Sequence, residues 1–146
     1  MIAAVIERSF AHWLSAWEMP AEGTGREGVV SVIMQIAKAL LDSPDFLRLG
    51  LMLALERRPV EPRARAMFVA VRDQAFETIT PTIRDLIPGL TNAQAHQLAT
   101  YAISGADGLF VAKEIGGDSV DLLALFEMHA NALYDSALRM VTEGAK

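Results

Sequence analysis

The residues of this chain with chemistry to offer are few. His12, His96 and His129 fall on three separate helical stretches, and none stands three or four residues from another histidine or from an aspartate or glutamate. Helix-borne metal chelation relies on that spacing, because it stacks two ligands on one face. The histidines therefore do not describe a metal site. There is no cysteine to supply a thiolate or a disulfide, and neither a Gly-x-Ser-x-Gly elbow nor a Gly-Lys-Ser/Thr phosphate loop occurs. A serine, histidine and aspartate would have to converge from distant helices, and no spacing points to it. The chain reads as non-catalytic, with no metal and no cofactor.

Two charged residues stand out by position. Arg72 lies near the helical line of Phe68, Ala75 and Ile79, where it is either turned inward or an edge charge lying along the surface. Asp107 stands between Gly105 and Gly108 in the stretch YAISGADGLFVAKEIGGDSVDLL, which begins at Tyr101. It could orient a ligand, bond a facing subunit, or be solvated on a polar stripe. The glycines are the more pointed signal. Each disfavours a helix interior by roughly 1 kcal/mol relative to alanine, so a close approach to that backbone is expected.

The elements that must position these residues are helical. No run alternates apolar and polar residues at period two, and no Asn-Gly or Asp-Gly hairpin sits between β-branched residues. The expected fold is all-α, a single domain over residues 1–146 with about six helices. The first covers residues 2–18 and stops before Pro20, followed by the linker PAEGTG. The second covers 27–41, with Val29, Val30, Ile33, Ile36, Ala37 and Leu40 at helical spacing. Ser43-Pro44 starts a third that runs to Arg57, apolar almost all round and so expected at the centre of the domain. Pro59 and Pro62 bracket the start of a long fourth helix, 61–87, which Pro81 must kink or split. Thr91 and Gln94 form a capping box for the fifth, which Gly116-Gly117 ends. Asp118 is expected to cap the sixth, 119–141, with Asp121 in its first turn.

Composition bounds the partners. The formal net charge is −5 with a pI of about 5.1, so there is no basic field to attract phosphates. The 52% hydrophobic fraction exceeds what a small monomer needs inside, which suggests a partner surface or an apolar cavity. The longest apolar runs, VVSVIMQIA and LGLMLAL, are too short to span a bilayer, which needs about 20 residues. The N-terminal stretch is interrupted by Glu7 and Arg8 and has no small-residue cleavage site, so neither a signal peptide nor a membrane segment is expected. A reducing, cytoplasmic location fits the absence of cysteine.

The last two helices each carry two apolar faces. On the fifth, Ala102, Gly105, Leu109 and Ala112 share one face with Gly108 at its edge, and Ala99, Ile103, Ala106 and Phe110 share another. On the sixth, Leu122, Phe126, His129, Leu133 and Met140 follow one line, with Leu123, Ala130, Ala137 and Val141 beside it. Two faces imply two packing partners. One arrangement places Gly105, Gly108, Leu109, Ala112, Leu122, Phe126, His129 and Leu133 across a homodimer boundary, where two such helix pairs form a four-helix interface. In the other, the glycines admit a bulky neighbour from the same chain.

The block ISGADGLFVAKEIGGDSVDLLALFEMHANAL, residues 103–133, resembles the last two helices of TetR-type transcriptional regulators, with an Asp-Gly-Leu inside the first and a Gly-Asp turn into the second. MIAAVIERSFAHWLSAW resembles the connecting helix that follows their helix-turn-helix head. That head has no counterpart in this sequence, so only the effector-binding and dimerisation domain is matched, and DNA would be contacted only through a head not present here. The resemblance implies a mostly apolar pocket for a small-molecule effector. Trp13, Trp17, Met34, Met52, Met67, Phe68, Arg72, Tyr101 and Asp107 are its candidate lining, each also serviceable as an ordinary core or surface residue. A second reading is a standalone helical module that heterodimerises with a full-length regulator.

Overall fold

The computed structural model describes residues 2–18, 20–56 and 62–144, and in the first helix the backbone but not the side chains of Ile2, Ala3, Ile6, Phe10, Leu14 and Trp17. Six α-helices follow in order: α1 (Ile2–Glu18), α2 (Gly25–Asp42), α3 (Pro44–Leu55), α4 (Pro62–Leu86), α5 (Asn92–Gly116) and α6 (Leu122–Gly144), with a 3₁₀ turn at Gly117–Ser119 between the last two. No strand occurs among the described residues. The expected end of the third helix at Arg57 and the start of the fourth at Glu61 lie outside the described residues.

Each long helix buries one stripe set by the 3.6-residue period. α2 presents Val29, Ile33, Ile36, Ala37 and Leu40, and α4 presents Ala64, Phe68, Val71, Ala75 and Ile79. α6 presents Leu122, Phe126, Ala130, Leu133 and Ala137. α6 lies along both α2 and α5, while α4 lies between α1 and α5. These contacts enclose one continuous core, with Phe46, Phe126, Leu40 and Leu47 its largest fully buried side chains.

Two expectations need correction, and one of two alternatives falls away. α3 is not central: it buries Phe46, Leu47, Gly50 and Leu53 but leaves Met52 57% and Leu55 78% exposed. Its inner face meets α4 at Gly50, where a β-carbon would fall on the Phe68 ring. α4 is not split at Pro81. The helix continues to Leu86, and the hydrogen bond that the proline cannot donate is lost at a solvent-exposed position, where water can serve the freed carbonyl. Finally, Asp118 belongs to the 3₁₀ turn, and Asp121 caps α6, its Oδ1 accepting the amide of Ala124 at 3.1 Å. The capping box on α5 forms as expected, with Thr91 Oγ1 accepting from the Gln94 amide at 3.2 Å and Gln94 Oε1 from the Thr91 amide at 2.9 Å. Gly117, at φ 57°, closes that helix in the left-handed region.

Candidate functional site

A small apolar void of about 20 Å³ lies where α1, α2, α4 and α5 converge. Trp13 of α1 forms one wall, 4% exposed and tilted on Phe46 with ring centroids 5.0 Å apart. Arg72 of α4 and Asp107 of α5 form the polar wall, each side chain 21% exposed. Their contact is bidentate: Arg72 Nη1 donates to Asp107 Oδ1 at 2.8 Å and Nη2 to Oδ2 at 2.6 Å. The guanidinium also lies 5.7 Å from the centre of the buried Phe68 ring. Fork-on-fork pairing and a cation over an aromatic face both fix the arginine's orientation. Asp107 is thus not a freely solvated member of a polar stripe, and Arg72 is turned inward.

A second void, of about 30 Å³, adjoins the first toward the far end of α4. Ile33, Ile79 and Ala102 line both, so three side chains form the partition. Among the described residues, Arg72 and Asp107 are the only charged ones on either lining, and Thr82 at the far end adds a hydroxyl. A cavity of this size holds about one or two water molecules.

Of the residues expected to line a pocket, the fold brings Trp13, Arg72 and Asp107 together and sets Phe68 directly behind them. Four others go elsewhere. Met52 lies on the exposed side of α3, Met67 packs half-buried at the edge of the core, and Tyr101 is 48% exposed with its ring 5.3 Å from that of His129. Met34 faces a separate open groove of about 430 Å³ between α1 and α2, in the company of His12, Gln35 and Lys38. The side chain of Trp17 lies outside those described. Ile33, Ile79, Ala102 and Thr82 went unforeseen, because aliphatic residues at core spacing carry no mark that separates a cavity wall from filled core.

Of the eight residues expected at a subunit boundary on α5 and α6, three are closed to a partner. Leu122, Phe126 and Leu133 are 3%, 0% and 5% exposed within this one chain, so no side-chain surface is left for a partner. Gly105 is covered from inside: a β-carbon there would fall on the imidazole of His129, whose Nε2 lies 3.1 Å from the carbonyl oxygen of Ala102. Leu109 and Ala112 are half-buried, Leu109 against the core. Of the eight, Gly108 alone is open, with nothing within 4 Å of an added β-carbon. A different stripe faces outward on α5: Tyr101, Ser104, Gly108, Val111 and Ile115, with Ile115 83% and Val111 41% exposed. On α6, Met128 is 67% exposed beside His129, and Leu125 and Ala132 flank that histidine one turn either side.

Gly23, Gly25 and Gly28 stand at Gly-x-Gly-x-x-Gly spacing where α2 begins. A dinucleotide-binding turn needs a strand before it, whereas here the linker after α1 precedes it, and Gly28 serves close packing against Leu86 Cδ2. The three histidines remain apart: His96 lies against Phe76, His129 against Tyr101, and His12 on the exposed side of α1. No helix among the described residues is long and apolar enough to cross a membrane. Compared with known proteins, the chain matches no family model and no curated protein sequence.

Proposed function

We propose that this chain is the effector-binding and dimerisation part of a TetR-like transcriptional regulator, acting in the cytoplasm and without catalytic activity. One observation carries the reading: Trp13 of α1 closes an apolar void whose charged wall is the Arg72–Asp107 pair. The resemblance of residues 103–133 and of the first helix supports it, as does the order of six helices. DNA contact would belong to a helix-turn-helix head outside this sequence.

The mechanism follows from the size of the voids. A drug-sized ligand needs a pocket of roughly 300 Å³ or more, so an effector enters only by displacing a wall. α1 is the wall that leads toward the expected head. A ligand that binds the displaced arrangement of α1 better than the closed one shifts the population between them by that difference in affinity.

Tryptophan fluorescence tests this directly. Titration with a panel of apolar compounds is expected to give a saturable change for at least one member, abolished by Trp13→Phe and retained by Trp17→Phe. A folded protein that responds to none of the panel overturns the effector-binding reading.

A further inference from the structure

We propose that the effector is an amphipathic anion, a carboxylate on an extended apolar chain, with its head on Arg72 and its chain running through both voids. The inference deepens the effector-binding reading and rests on it.

The head-group end is set by what holds each member of the charged pair. Arg72 has two supports, Asp107 and the face of Phe68. Among the described residues Asp107 has Arg72 alone, on a short side chain beside the open Gly108. When the pair separates, the arginine keeps its place over the ring and the aspartate is free to turn outward to water. The guanidinium spends only a fraction of its donor fork on Asp107. A ligand carboxylate can therefore be received in the geometry that Asp107 occupies here, exchanging one carboxylate for another. An ammonium head would have to be held by Asp107 against the charge of the fixed Arg72, which like-charge repulsion disfavours.

The chain end is set by the partition. Beyond Arg72 every lining residue is apolar until Thr82, and Ile33, Ile79 and Ala102 divide the space. Rotation of the two isoleucines would join the voids into one elongated slot between α2, α4 and α5. A compact or polyhydroxylated ligand would leave its polar groups unpaired there, whereas a linear alkyl chain would not.

Calorimetric titration with octanoate, decanoate and dodecanoate, below their micelle concentrations, tests the assignment against the alcohols and alkyltrimethylammonium salts of equal length. The carboxylates are expected to bind about tenfold or more tightly than the alcohols, the scale of a charge-assisted contact. Arg72→Met should erase that preference while the protein stays folded by circular dichroism. Asp107→Asn should strengthen carboxylate binding, because it removes the internal competitor, and Ile79→Ala should move the optimum to a longer chain. Alcohols or ammonium salts binding as tightly as carboxylates, or an unchanged preference in Arg72→Met, would overturn the anionic head while leaving an apolar effector site standing. Silence from all three series and from the apolar panel would overturn both.

Discussion

Gly105 and Gly108 stand one turn apart on α5, yet their surroundings are opposite. At Gly105 a β-carbon would occupy the space of the His129 ring, which is fixed by its contact with the Ala102 carbonyl. At Gly108 it would meet nothing. Gly108→Ala is therefore expected to stabilise the fold by up to about 1 kcal/mol, the difference in helix propensity. Gly105→Ala should forfeit that gain, since the imidazole must leave its carbonyl, and overpacking of this kind typically costs about 1–3 kcal/mol. Urea unfolding of the two variants side by side checks the prediction, and equal midpoints would show that the His129 contact does not set the helix spacing. The sequence displayed both glycines as misfits in a helix. It could not say which one met a neighbour, because His129 lies 24 positions on from Gly105 and neither residue type announces the pairing. Arg72 is legible as an inward candidate by its place near an apolar line and Asp107 by its place between two glycines, but their mutual bidentate contact, 35 positions apart, is not.

At the scale of elements, legibility followed the strength of local chemistry. The start of α5 was readable because Thr91 and Gln94 satisfy each other's amides within a single turn. The start of α6 was misplaced because two aspartates compete for the role. Asp118 comes first after the glycines, yet Ser119 donates to the Gly116 carbonyl, and the chain makes a 3₁₀ turn before Asp121 can accept from Ala124. Asp121→Ala is expected to cost about 0.5–2 kcal/mol, the usual range for losing a side-chain cap, while Asp118→Ala at its exposed position should change stability by less than about 0.5 kcal/mol. Thermal unfolding of both resolves the assignment, and a larger loss in Asp118→Ala would return the cap to the earlier residue. α3 departs from its expected central place for a different reason. Its almost unbroken apolar run does not say which side faces outward, and the helix is held at the rim by Phe46, Leu47 and Leu53 on its inner side. Arg48 adds a surface tie from α3 to α5, donating to Glu114 through Nε at 3.1 Å and Nη2 at 2.8 Å, and that hydrogen bond raises its pKa further. Both partners are well exposed, so the pair contributes little to stability.

For the whole molecule, large apolar residues stand exposed on α2, α3 and α4, at Leu41, Met52, Leu55 and Val69, as well as on the outer faces of α5 and α6. The helix-pair interface expected from the sequence draws on Leu122, Phe126 and Leu133, which are buried within this chain. Phe126 and its line fill this chain's own core, so Phe126→Glu would bury a charge and unfold the protein instead of separating subunits. If two copies associate as proposed, the stripe of Tyr101, Gly108, Val111 and Ile115, together with Met128, is the surface available to them. The open space over Gly108 lets a facing helix come close, and the flanking aliphatic side chains supply area to bury. Val111→Glu and Gly108→Leu alter only that outer surface. Each is therefore expected to leave the helical circular dichroism spectrum intact while shifting sedimentation from dimer to monomer. The melting temperature of the parent chain should fall on dilution and that of the variants should not, since association stabilises only the folded form. A dimer that survives both substitutions would move the interface off this face. A parent chain that sediments as a monomer at every concentration would instead leave the stripe free for a different partner, and mixing with a full-length relative would then be the decisive association to measure.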